Sequence, residues 1–171
     1  MEDRYADTVF EMAQDKFINY DKNVRALIDT ITRKQGAIDL DKEKVFGKHI
    51  HAFIWAFFTG VFNNKKIELN SWEYTDTFTL GVMHRDQSGI AADAMLLIAI
   101  SEIKTDDFEK TFTTKNGIRK ILNILSSYAE GGAKHILEIK ETDGNTNYLD
   151  HPYHFHDEIK NRIKSDKKDA K

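Results

Sequence analysis

The sequence predicts an all-α fold, a single-domain bundle of five to seven helices around two buried helices at 41–62 and 89–104. Three observations carry that prediction. One proline and nine glycines in 171 residues leave few breakers, which favours long helices. Apolar residues recur at spacings of three and four over most of the chain, the period of a helix with one face inward. Two runs, "IHAFIWAFFTGVF" and "GIAADAMLLIAISEIK", are apolar nearly all round, as helices contacted from several sides are.

The first 35 residues read as helix. Tyr5, Val9, Ala13, Phe17, Tyr20, Val24, Ile28 and Ile31 form one stripe, with "NYDKN" at 19–23 offering a break and Asp21 a cap for a second helix. Arg33 and Lys34 suit a helix C-terminus and Gly36 its stop. The stripe exceeds what a small domain must bury, so it predicts a homodimer or a hetero-complex through this helix.

Asp41 suits the cap of the next helix, which runs to about Phe62. Its apolar run, Ile50 to Phe62, has 13 residues. That falls short of the roughly 20 needed to span a bilayer and fits a core helix, the central one of the bundle. Residues 64–88 are the least helical. Phe78, Leu80 and Val82 alternate with smaller residues, which permits a short extended segment near 76–83. The sequence shows no partner strand for it, so a loop or helical turn is the alternative. Gly89 to Lys104 returns to helix behind Ser88, the second buried helix, and Thr105 starts a short helix carrying Phe108 and Phe112.

Ile118, Leu122, Leu125, Ala129, Gly132, Ile136 and Ile139 then keep helical register through Gly131 and Gly132. The register predicts a continuous helix, or two halves joined by a kink. Gly132 serves close backbone approach, with Tyr128 on the same face, and Gly131, one step round, should tolerate alanine. A loop at 142–147 leads to a last helix with Pro152 in its first turn, fraying in a basic end from about 164. No repeat or linker divides the chain, so residues 1–171 read as one domain.

The totals narrow the function. A formal charge of −3 gives no whole-protein field toward DNA or anionic lipid. The absence of cysteine excludes disulfides, thiolate metal sites and cysteine nucleophiles, and fits a reducing cytoplasm. "MEDRYADTVFEM" is acidic and amphipathic, without the pattern of a secretory signal, so a cytoplasmic location is expected.

Histidines are the densest candidates for chemistry. His151, His154 and His156 stand beside Glu158, and on a helix His154 and Glu158 share a face at i and i+4. That donor set suits a divalent zinc, iron or manganese ion, although it matches no compact metal motif. An amphipathic helix start with surface histidines explains the same residues. His84 and Arg85 precede the helix start at Gly89, where an anion contact competes with an ordinary cap and turn. Asp93 suits a first-turn dipole role. No phosphate-cradling glycine loop, "GxSxG" or paired-carboxylate motif is present, and no catalytic residues emerge.

Two stretches resemble a known family. "FGKHIHAFIWAFFTGVFNNKKIEL" and "ILSSYAEGGAKHIL", with "DAMLLIAISE" between them, are similar to segments of small bacterial Dnd-system-associated proteins over about residues 45–140. Tyr128, Ala129, Gly131 and Gly132 stand in the places of that family's "YA-x-GG" element. The resemblance implies a helical accessory encoded beside DNA phosphorothioation or related anti-phage systems, with no catalytic residues to transfer. The expected function is therefore a non-enzymatic interaction module without a cofactor. It would work with a protein partner or as a homo-oligomer, reach nucleic acid through a larger complex, and make no membrane contact. The alternative is a metal-dependent enzyme acting on nucleic acid through the C-terminal histidines.

Overall fold

Aromatic and β-branched residues at 17–20 and 74–79 form the feature that helical periodicity hides. A computed structural model describes residues 9–32, 48–85, 89–104 and 112–143. Residues 9–13 are helical. They lead into strand β1 (Phe17–Tyr20), helix α1 (Lys22–Ile31), α2 (His49–Phe62), strand β2 (Tyr74–Thr79), the one-turn α3 (Leu80–Met83), α4 (Gly89–Ser101) and α5 (Lys115–Asp143). The protein is thus mostly helical, with one two-stranded antiparallel sheet.

The sheet corrects the all-helical reading of the N-terminal region. "FINY" buries Ile18 and Tyr20 and turns Phe17 and Asn19 outward, a period of two that coexists with the three-and-four spacing of the apolar stripe. β1 is the partner that the segment near 76–83 lacked in sequence. Phe17 pairs with Thr79, Ile18 with Phe78 and Tyr20 with Tyr74, across an irregularity after Ile18. Asp76 takes a positive φ of 55° there, and its N–H donates to Asn19 Oδ1 at 3.2 Å. The Thr77 hydroxyl donates to the Ile18 carbonyl. Beyond Thr79 the chain is helical, because the Thr79 hydroxyl accepts from Val82 N at 3.3 Å and caps α3.

The hub is α5, not the helix ending at Phe62. Helices α1, α2 and α4 and strand β1 all pack on it. Residues 125–133 of α5 are buried without a break, around "SSYAEGGA". Phe57 meets Tyr128 edge-on at 5.9 Å and Phe53 meets Phe78 edge-on at 5.2 Å, which locks α2 to both α5 and the sheet.

Glycines set the α2–α5 crossing. A Cβ on Gly132 would overlap the Ala56 carbonyl and stand 2.5 Å from Gly60 N. One on Gly60 would overlap the Tyr128 carbonyl, 2.9 Å from its carbon. The continuous helix through Gly131 and Gly132 is present, but Gly131 is not tolerant. Its Cβ would overlap the Lys65 carbonyl and stand 2.8 Å from Lys66 N, where the chain leaving α2 crosses α5. Ile67 N donates to the Ser127 carbonyl at 3.0 Å and ties that strap down.

Val9, Ala13, Val24, Ile28 and Ile31 of the N-terminal stripe are buried within the chain, whereas Phe17 of the same stripe is 45% exposed. One further expectation changes. α4 is apolar all round but peripheral. It packs through Ala92, Met95, Leu96 and Ala99 and leaves Ile90 89% and Leu97 57% exposed. Asp41 and the proposed start of its helix lie outside the described residues, as do Thr105 and Phe108. Among the described residues no helix is long and apolar enough to cross a membrane.

Candidate functional site

Two side chains of α5, one turn apart, fix the end of β1 and thereby build the site. Ser126 Oγ lies 2.5 Å from the Asn19 carbonyl and 3.0 Å from the Leu122 carbonyl, and it donates to these acceptors. Glu130 is 0% exposed. Its Oε1 accepts from Asp21 N at 2.6 Å and Val24 N at 3.2 Å, while Oε2 accepts from Asn23 N at 3.1 Å. Asp21 occupies the N-cap position of α1 but makes no side-chain capping bond. A carboxylate more than a hundred residues away does that work, and it is well placed against the positive end of α1. Burial pushes the Glu130 carboxyl above the usual carboxylate range, and the bonds from Asp21, Val24 and Asn23 pull it back only in part.

Beside this anchor, β1, residues 70–75 and α5 enclose a crevice of about 250 Å³. Arg119, one turn into α5, is its charged residue. Phe17, 45% exposed, and Trp72 supply aromatic surface. Trp72 is held by its indole N–H, which donates to Asn123 Oδ1 at 3.2 Å. Asn19, Asn70, Ser71, Thr75 and Ser126 complete the polar lining, and Leu122 closes it.

Two amides of this lining have their oxygens engaged. Asn123 Oδ1 accepts from Trp72 and Asn19 Oδ1 accepts from Asp76 N, which leaves each amide its NH2 donors. Among the described residues no carboxylate lines the crevice, and none forms an ion pair with Arg119. A crevice with a guanidinium, amide and hydroxyl donors and aromatic surface suits an acceptor-rich, negatively charged group.

None of the candidates read from sequence is among the described residues that line the crevice. His151, His154, His156 and Glu158 lie outside the described residues, so the divalent-metal site does too; among the described residues no group of three His, Asp or Glu is gathered for a metal. His84 lies against the start of α4, its Nε2 3.4 Å from where a Cβ on Gly89 would stand. His84 Nε2 stands 3.8 Å from Asp93 Oδ1 with its ring 4.7 Å from Phe10, and Arg85 Nε donates to the Gly81 carbonyl at 3.2 Å. Asp93 lies past the first turn of α4, with its Oδ1 facing His84.

Tyr128, Gly131 and Gly132 sit at the α2–α5 crossing, away from the crevice lining. Lys66 Nζ stands 5.6 Å over the Tyr128 ring and pairs with Glu68 at 3.3 Å and Glu102 at 3.9 Å. Burial first, and then its hydrogen bond to the Glu102 carboxylate, push the Tyr128 phenol above its ordinary value. Such a phenol is a hydrogen-bond donor that clasps α4 to α5.

Sequence reasoning missed Arg119, Trp72, Asn123 and Glu130. Only Glu130 carried a local signal, as a lone charge within a run of small residues on a helix buried all round. Comparison with family models, with curated proteins and with solved structures finds no match.

Proposed function

We propose that the protein is a non-enzymatic binding module that recognises an anionic group in the crevice between its sheet and α5. The observation behind this reading is Arg119, unpaired among the described residues and in one lining with the side-chain amides of Asn19 and Asn123. Among the described residues the lining offers a guanidinium, amides and hydroxyls but no histidine, lysine or carboxylate for general acid–base work, which favours recognition over catalysis. The resemblance over residues 45–140 adds the setting of an accessory protein in a bacterial DNA-modification or anti-phage complex. In that setting the anionic group is carried by a partner component or a free ligand.

The test is a titration of the full chain with inorganic phosphate, followed through the Trp72 indole and Asn123 amide signals in 15N–1H correlation spectra. Saturable shifts that disappear in Arg119→Gln are expected. Shifts that persist unchanged in Arg119→Gln, or none at millimolar phosphate, refute anion recognition here.

A further inference from the structure

We infer that the group recognised in the crevice is an anion carried on a flat ring, an aryl or heteroaryl phosphate or carboxylate. This inference rests on the reading of the crevice as an anion site and adds the ring. A bare oxyanion needs only the donors. It gives no reason for Phe17 to stand 45% exposed at the rim of the crevice, on the outward side of β1. Nor does it explain an indole in the same lining, held at 3.2 Å to Asn123.

Burying an aromatic face against a planar ring is favourable, and ring pairs add to the plain area term. The Asn123 bond removes rotational freedom from Trp72 before any ligand arrives, so less ordering remains for binding to supply. The volume of about 250 Å³ lies just below the usual range for drug-sized ligands, which matches one ring with one acid group. Arg119 stands on α5 and Phe17 on β1, so the charge and the ring are met by different walls of one crevice. Arg119 fits planar phosphate or carboxylate oxygens through two parallel N–H donors.

The experiment uses the full chain and three probes: phenyl phosphate, inorganic phosphate and benzyl alcohol. Affinities are read from the Trp72 indole shift, with Trp55→Phe identifying which indole signal is which. Phenyl phosphate is expected to bind at least about tenfold more tightly than inorganic phosphate, a difference of about 1.4 kcal/mol. Phe17→Leu should erase about fivefold of that advantage, since it removes the ring and adds no hydrogen-bonding group. Arg119→Gln should weaken both anions, and benzyl alcohol should bind less tightly than phenyl phosphate.

Equal affinity for phenyl phosphate and inorganic phosphate, with no effect of Phe17→Leu, overturns the ring inference and leaves the anion site standing. Binding of benzyl alcohol as tight as that of phenyl phosphate, insensitive to Arg119→Gln, overturns both. Benzoate in place of phenyl phosphate separates carboxylate from phosphate as the favoured acid group. Phe17→Leu changes a residue already half in solvent, so an unchanged melting temperature shows that any loss of binding is local.

Discussion

Removing the Glu130 carboxylate should release the first turn of α1 from α5, and its cost follows from who is left without a partner. In Glu130→Ala three backbone N–H groups lose their acceptor, those of Asp21, Asn23 and Val24. Asp21 and Asn23 are only half-buried, so water replaces the carboxylate there at little cost. Val24 is buried, and an orphaned amide costs about 1–3 kcal/mol. Loss of the cap adds about 1 kcal/mol, and truncating one buried methylene adds about 0.8 kcal/mol. The sum is about 4 kcal/mol, a large part of the roughly 5–15 kcal/mol that holds a domain together.

Glu130→Gln keeps one oxygen for Asp21 and Val24 but sets an NH2 against Asn23 N, and should cost about 1–2 kcal/mol. Urea denaturation followed by far-UV circular dichroism reads both. A Glu130→Ala midpoint within error of wild type, at unchanged m-value, would refute the capping argument. The pH dependence gives a second check. Because folding raises this pKa, the folded chain holds the Glu130 proton more tightly than the unfolded chain does. Its contribution is therefore full below the ordinary carboxyl value of about 4.3 and declines as pH rises through the raised one. The stability of wild type relative to Glu130→Gln should fall across that window. A difference that grows with pH there contradicts the dominance of burial.

Other perturbations test the crossing and the sheet. Alanine at Gly60, Gly131 or Gly132 should each lower stability by about 1–3 kcal/mol through overpacking, despite a helix-propensity gain near 1 kcal/mol. Thermal melts check this at about 2–4 °C per kcal/mol, and a rise for any of the three means the backbones are not in contact there. Phe57→Ala removes a fully buried ring set between Phe58 and Tyr128 and should cost about 3–5 kcal/mol in chemical denaturation; unchanged stability places α2 outside the core. Asn19→Ala should cost only about 0.5–1.5 kcal/mol, the loss of one exposed hydrogen bond to Asp76, and should shift the Trp72 indole signal. No shift would separate the sheet irregularity from the crevice.

The helices were legible because large apolar residues mark them. The run from Ile50 to Phe62 and the register through Gly132 each predicted an element that is present. Less legible was rank within the core. α2 and α4 read as the buried pair because they are apolar all round, yet α4 leaves Ile90 and Leu97 in solvent. The hub, α5, is buried through Ser126, Ser127, Ala129, Glu130, Gly131, Gly132 and Ala133, small or polar residues whose role is to let other backbones approach. Hydrophobicity measures what a side chain gains by leaving water. It does not measure how closely a neighbour can come, and at this crossing the second quantity decides position.

The same distinction explains why the crevice was invisible in sequence. Its residues come from three separated stretches, 17–19, 70–75 and 119–126, and no local spacing joins them. They are joined by Ser126 and Glu130, which hold Asn19 and Asp21 on neighbouring turns of α5. Ser126 also lines the crevice, so the hydrogen bond that seats β1 shapes one wall of the site. Strand position, the N-terminus of α1 and the mouth of the crevice are therefore set by one helix face. A short β1–β2 pair is marginal without such support. It holds its register because Ser126 and Glu130 fix the exit of β1 from the α5 side and β2 fixes it from the other, which places Phe17 at the crevice rim and keeps Ile18 in the core.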